Sequence, residues 1–199
     1  MSKLKTAPTD KAQKFEDVTR VLFAVLQTAG PAKITHSLVA KKAGVSRAWL
    51  YKYVGSNRDD LIQMAVLHLG KRLTERDLGE VVKTKAELTK SIVLGMGRMF
   101  ENTKEHPWFI PVYFKYRGAQ GALGQAIADV EQDYIKRQAV LFQKVFKYSA
   151  PRAVIAAEVL TSFRMGLAFS WQHGELSKKS DQTEVLKSVE HWIIELFTA

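Results

Sequence analysis

Cysteine is absent from the 199 residues, which excludes structural disulfides, thiolate zinc sites and a cysteine nucleophile, and is compatible with a reducing compartment. Long apolar runs are missing as well. VLFAVL from Val21 and AVIAA from Ala153 fall far short of the ~20 residues that span a bilayer. The first residues, MSKLKTAPTDKAQKF, are basic and polar and carry no apolar leader segment. The expectation is an unprocessed cytoplasmic protein with no membrane partner. Catalytic signatures are equally scarce. There is no H-E-x-x-H, phosphate loop or G-x-S-x-G, and the five histidines are scattered without metal-ligand spacing. Glu101, Glu105 and His106 cluster near a helix end and Glu158 stands alone in an apolar helix. Both read as solvated or locally paired charges, so no catalytic residue, metal or cofactor is expected and the chain is not read as an enzyme.

What the sequence does have is positive charge at one end. The net charge is +10, and residues 1–58 hold eleven Lys and Arg against three Asp and Glu, whereas residues 59–199 hold nineteen against seventeen. A basic end on a nearly balanced body suits a polyanionic partner, nucleic acid above all. Helical periodicity dominates the chain and strand alternation is rare, so the fold class is all-α with about nine helices. They are expected at about 10–29, 36–43, 47–54, from Arg58 to a fading end near Leu78 and Gly79, 85–103, 107–116, 122–148, 151–173 and 183–197. Pro111, inside one apolar run, predicts a kink or a broken helix. The domain expectation is a three-helix DNA-binding unit over 1–57, then a connecting helix and a larger helical body over 58–199.

The motif that carries function is ITHSLVAKKAGVSRAWLYKYV, from Ile34 to Val54. Thr35 is placed to cap one short helix and Ser46 the next; Gly44 supplies the positive φ of the turn, and Val39, Ala40, Ala43 and Val45 form the small apolar inner face. At 100° per residue, Leu50 and Val54 face the core. That leaves Arg47, Ala48, Trp49, Tyr51, Lys52 and Tyr53 facing outward. In a major groove, Arg47 and Lys52 reach guanine edges or phosphates, Ala48 and Trp49 meet thymine methyls, and Tyr51 and Tyr53 donate to phosphate oxygens. Thr35, His36 and Ser37 lie at a helix start suited to backbone phosphate. The bland reading is an αα-hairpin whose aromatics are covered by another helix.

At these residues the sequence resembles the TetR family of transcription regulators. The resemblance runs through VAKKAGVSRAWLYKYVGSNRDDLIQMAV, from Val39 to Val66, and covers roughly Phe15 to Val66. It implies DNA contacts by Ser46, Arg47, Ala48, Trp49, Tyr51, Lys52 and Tyr53, with help from Thr35, His36 and Ser37. Val54 stands where that family usually has Phe. Asn57 replaces its usual phosphate-contacting Lys, which makes Arg58 the candidate for that contact. The resemblance also implies that the helices beyond about Lys83 form a ligand-binding and dimerisation domain, the last two building a four-helix bundle across a two-fold axis. The broad apolar faces of Val154, Leu160, Phe163, Leu167 and Trp171, and of Val185, Leu186, Val189, Trp192, Ile193 and Leu196, fit a homodimer.

Aromatic and Met residues concentrate in the body. Met96, Met99, Phe100, Trp108, Phe109, Tyr113, Tyr116, Phe142, Phe163 and Phe169 are candidates for an apolar ligand pocket, with Arg117 and His173 as its polar groups. Such residues also fill ordinary cores. The leading expectation is a repressor released from palindromic double-stranded DNA by a small apolar or aromatic effector. The alternative is a DNA-binding dimer without a ligand, its C-terminal part serving as scaffold or protein-docking surface.

Overall fold

The computed structural model describes residues 10–78, 82–176 and 181–198, with side chains over 10–71, 82–176 and 181–195. Among the described residues the chain forms nine α-helices and no strand: α1 (Asp10–Thr28), α2 (His36–Ala43), α3 (Arg47–Tyr53), α4 (Arg58–Leu78), α5 (Lys85–Glu105), α6 (Phe109–Tyr116), α7 (Ala122–Phe146), α8 (Ala150–Gln172) and α9 (Gln182–Thr198). A 3-10 turn, Pro31–Lys33, leads into α2. The all-α expectation holds, with helix boundaries within a few residues of those read from periodicity. Gly79, where α4 was expected to fade, and the side chains of Leu78 and Leu196 lie outside the described residues.

Local chemistry sets the short helices. Thr35 Oγ1 accepts from Leu38 N at 3.2 Å to start α2, and Ser46 Oγ accepts from Trp49 N at 3.0 Å to start α3. Between them Gly44 has φ +67°, a left-handed conformation that glycine adopts without a Cβ penalty. α4 begins with a reciprocal cap: Asp60 N donates to Asn57 Oδ1 at 2.8 Å and Asn57 N donates to Asp60 Oδ2 at 3.1 Å. α5 repeats this device with Thr84 and Glu87. The Lys83 and Thr84 backbone N–H groups hold the Glu87 carboxyl below its ordinary pKa.

The kink expected at Pro111 does not form. α6 begins at Phe109, after the Trp108 cap, rather than at Pro107, so Pro111 falls in the first helical turn. Backbone N–H groups there have no intrahelical acceptor, and a proline removes nothing.

Two apolar clusters hold the chain together. The first runs from α1, α2, α3 and α4 into α6, α7 and α8, joining Leu22, Leu26, Val39, Leu50 and Leu61 to Ile110, Ile127 and Met165. The second joins α5, α7, α8 and α9 through Met96, Phe100, Phe142, Leu160 and Ile193. The first cluster crosses residue 57 without a break, because α1 and α4 belong both to the N-terminal unit and to the body. α7 is the central strut, packed along α4 and α8. By length and composition α8 is apolar enough to cross a membrane. Here its apolar residues are divided between the two clusters and an outward face of Val154, Ile155 and Val159, and it buries Arg164.

Candidate nucleic-acid interface and ligand pocket

α3 is held by its inner side. Leu50 is fully buried, and Val54 packs against the same cluster. Arg47, Ala48, Tyr51, Lys52 and Tyr53 are exposed, and so are Thr35, Ser37, Ser46 and Arg58. Tyr51 at 46% and Tyr53 at 38% are unusually open for large aromatics.

Two expectations on this face are corrected. Trp49 is not part of the open surface: it is half-buried, its ring meeting the edge of Phe15 at 5.1 Å and Tyr53 at 5.2 Å. The cause is α1, whose first turns lie against that flank of α3 and turn the indole into an anchor. His36 is also half-buried, with its ring stacked on Tyr51 at 4.7 Å and Nε2 donating to Gly55 O at 2.9 Å. It ties the start of α2 to the end of α3 and presents Tyr51. Asn57 Oδ1 is occupied by the α4 cap, whereas the half-exposed Arg58 guanidinium, among the described residues, reaches no carboxylate closer than Asp59, at 3.5 Å.

Beneath this unit lies a narrow pocket of about 90 Å³, walled by α1, α4, α5, α6, α7 and α8. Phe23, Val66, Leu69 and Gly70 come from α1 and α4; Met99, Phe109, Val112 and Tyr113 from α5 and α6; Ile127, Val130, Glu131, Tyr134, Thr161, Arg164 and Met165 from α7 and α8. Its polar groups are turned onto one another. Tyr113 donates to Glu131 Oε1 at 3.0 Å, and Arg117 grips both Glu131 oxygens at 2.7 and 3.0 Å. Arg164 donates to the Tyr134 hydroxyl, and Thr161 to Ala157 O. Burial, then the Glu131 charge, pushes the Tyr113 hydroxyl far above its ordinary pKa. Tyr113 is thus a neutral donor throughout the physiological range. The Glu131 hydrogen bonds raise Arg117.

No family model matches the chain, and no curated protein matches it. Among solved structures, a TetR transcriptional regulator from Legionella pneumophila superposes with a TM-score of 0.65 at 13% identity, over 96% of this chain and 99% of that one. The fold is that of the TetR-type regulators. The fatty acid degradation regulator FadR from Bacillus halodurans is similar at a TM-score of 0.70 and 15% identity, over 93% of this chain and 98% of that one. FadR from Bacillus subtilis, solved in complex with stearoyl-CoA, gives 0.64 and 14%, over 90% and 97%.

Within this TetR-type fold, three of the twelve ligand residues expected from sequence line the pocket: Met99, Phe109 and Tyr113. The other nine do not line it. Met96, Phe100 and Phe142 are fully buried in the second cluster. Trp108 stacks on Phe23 at 4.5 Å, behind the pocket wall, and Tyr116 donates to Leu26 O at 3.3 Å, pinning α6 to α1. Arg117 stands outside, bracing Glu131. Phe163 packs on Trp192 at 4.6 Å between α8 and α9; Phe169 stacks on His173 at 4.1 Å, and His173 bonds Phe169 O. The α7 contribution had a visible signal: Ile127, Val130, Glu131 and Tyr134 follow a three-four spacing along one helix face. Phe23, Val66 and Leu69 had none, because they read equally well as core of the N-terminal unit.

Proposed function

We propose that this chain is a ligand-responsive transcriptional regulator, a repressor whose α2–α3 unit binds double-stranded DNA and whose body binds an apolar effector. Residues 1–57 act as the reading head and 58–199 as the sensor and dimerisation body. Arg47, Ala48, Tyr51, Lys52 and Tyr53 face the groove, Thr35, Ser37 and Ser46 flank it, and Arg58, a full positive charge exposed at the start of α4, takes the phosphate contact.

The observation that carries the reading is the identity of the pocket walls. Phe23 of α1 and Val66, Leu69 and Gly70 of α4 line it directly, and these same helices hold α2 and α3 through Leu22, Leu26, Val39 and Leu50. An occupant would bear on the two helices that set the pose of the head. A ligand shifts an equilibrium only by its differential affinity for two states, and this placement gives it contacts that differ between head poses. The lining is apolar, with Tyr113 engaging Glu131 and Arg164 engaging Tyr134, which favours an uncharged, extended body such as an acyl chain. The stearoyl-CoA bound by the Bacillus subtilis structure makes a long-chain acyl thioester the first ligand to try.

The homodimer forms through α8 and α9, whose outward Ile155, Val159, Trp192 and Ile194 are 60%, 49%, 39% and 45% exposed. The test is a duplex selected by the protein from a random-sequence pool. Binding should be salt-dependent and two-fold symmetric, and stearoyl-CoA should weaken it severalfold where coenzyme A alone does not. Binding unaffected by any acyl chain length would remove the sensor role and leave a DNA-binding scaffold.

A further inference from the structure

The first turn of α1 lies beside the last turn of α3. Lys11 places its ammonium 4.4 Å from the centroid of the Tyr53 ring, and Lys52 places its own 5.1 Å from the same centroid. The approach is set by packing, since Phe15, one turn along from Lys11, meets the edge of Trp49, which in turn contacts Tyr53. A ring quadrupole attracts each ammonium, but two like charges held near one ring repel each other. Neither Lys11 nor Lys52 has a carboxylate partner among the described residues. By contrast, Lys14 and Arg20, elsewhere on α1, pair with Asp10 and Asp17 at 2.5 and 3.1 Å. Two basic residues of α1 are thus paired with carboxylates, while Lys11, which meets the recognition helix, has none among the described residues. Two ammonium groups gathered at one exposed tyrosine ring, whose hydroxyl is itself a donor, form a local concentration of positive charge that suits the DNA phosphate backbone.

We propose that Lys11 of α1 is a phosphate-contacting residue, acting with Tyr53 and Lys52 at the C-terminal end of α3 and extending the DNA interface beyond the helix-turn-helix. This rests on the DNA-binding reading above. Its consequence is that α1, which also supplies Phe23 to the pocket wall, touches both the ligand cavity and the nucleic acid.

The experiment uses the full chain and the pool-selected duplex, with Kd measured between about 50 and 200 mM salt. Lys11→Gln should weaken binding about fivefold at the lower salt, and should make the log–log salt slope shallower by about 0.9, the value for one phosphate. The loss should be the same on unrelated duplexes, Lys11→Arg should restore both readouts, and Lys14→Gln should change neither. A K11Q slope equal to wild type, with wild-type binding intact, would overturn the proposal while leaving the regulator reading in place. Weakening without a slope change and without rescue by Arg would reduce Lys11 to a packing residue on Tyr53, and an equal effect of K14Q would reduce it to bulk charge. Wild-type protein that binds no duplex at any salt would overturn both the regulator reading and this site.

Discussion

The reading head and the pocket use polar side chains in opposite ways. In the head, Thr35, Ser46 and Asn57 spend their oxygens on helix caps, and what remains projects outward: Arg47, Tyr51, Lys52 and Tyr53. In the pocket, Tyr113 and Glu131 close on each other with Arg117 bracing Glu131 from outside, Arg164 turns to Tyr134 and Thr161 to its own helix, so that the lining left open is apolar. One surface displays donors, as the proposed polyanionic partner requires; the other keeps an apolar lining, as the proposed guest requires. The two faces nevertheless share one core, because the cluster around Leu50 continues without interruption to Met165. The difference between them is therefore a difference of surface laid over common packing, and that packing is the route by which the proposed guest would act on the proposed head.

The most damaging way to test this is to cut into the shared core from the head side. Leu50 is fully buried, and Leu50→Ala should cost about 2–5 kcal/mol of unfolding free energy. Because the core is shared, the loss should appear as one cooperative transition moved down as a whole, followed by circular dichroism and by Trp emission in parallel. Two separated transitions, with the head melting first, would show that the head is an independent rider and would break the comparison.

The head was legible in the sequence because its determinants are local. Thr35, Gly44, Ser46 and Leu50 each act within a turn or two of where they stand, so spacing alone assigns them. Trp49 and His36 escaped the same reasoning since their surroundings come from elsewhere: Phe15 lies on α1, and Gly55 lies beyond α3. The pocket was mostly illegible for that reason at larger scale. Aromatic and Met content pointed to α5, α6, α7 and α8, but it cannot separate Met99, which lines the cavity, from Met96, one turn earlier and fully buried in the second cluster. Which side of a helix faces a void depends on how α4, α7 and α8 cross, and no single helix encodes that.

Gly70 marks a close crossing of α4 and α7 at the pocket wall. A Cβ added there would lie 2.5 and 2.7 Å from the two γ-carbons of Val130 on α7. Valine is stiff at χ1, so α4 must move away from α7 rather than the side chain swing aside. Gly70→Ala should cost about 1–3 kcal/mol of stability as an overpacking change. It should also lower DNA affinity, by roughly 5- to 150-fold if the coupling is of ordinary allosteric size, although Gly70 is remote from the interface. Adding Val130→Ala should restore both stability and binding. If the double variant binds DNA as poorly as Gly70→Ala alone, the α4–α7 crossing is not what relates pocket to head.

The smallest effect concerns Tyr113, and it sharpens how the pocket hides its polarity. Its hydroxyl donates to a carboxylate that Arg117 also grips, so Tyr113→Phe removes a charge-assisted bond and should cost about 1–2 kcal/mol near neutral pH. The pH dependence gives the sharper reading. Burial and the Glu131 charge raise the folded-state pKa above the ordinary value of 10.0, so the folded chain holds this proton while the unfolded chain releases it. The resulting stability is complete below the unfolded value and is lost as pH climbs from there toward the folded one. Other tyrosines and lysines titrate in the same range, so the informative quantity is the gap between wild type and Tyr113→Phe. That gap, measured by urea unfolding, should be constant up to about pH 9.5 and should then narrow steadily as pH rises to about 11. A gap that holds its size across this range would mean that the hydroxyl is solvated instead of sealed against Glu131. The pocket would then keep an open polar group and would suit a ligand with a polar body, in place of the plain apolar chain its lining favours.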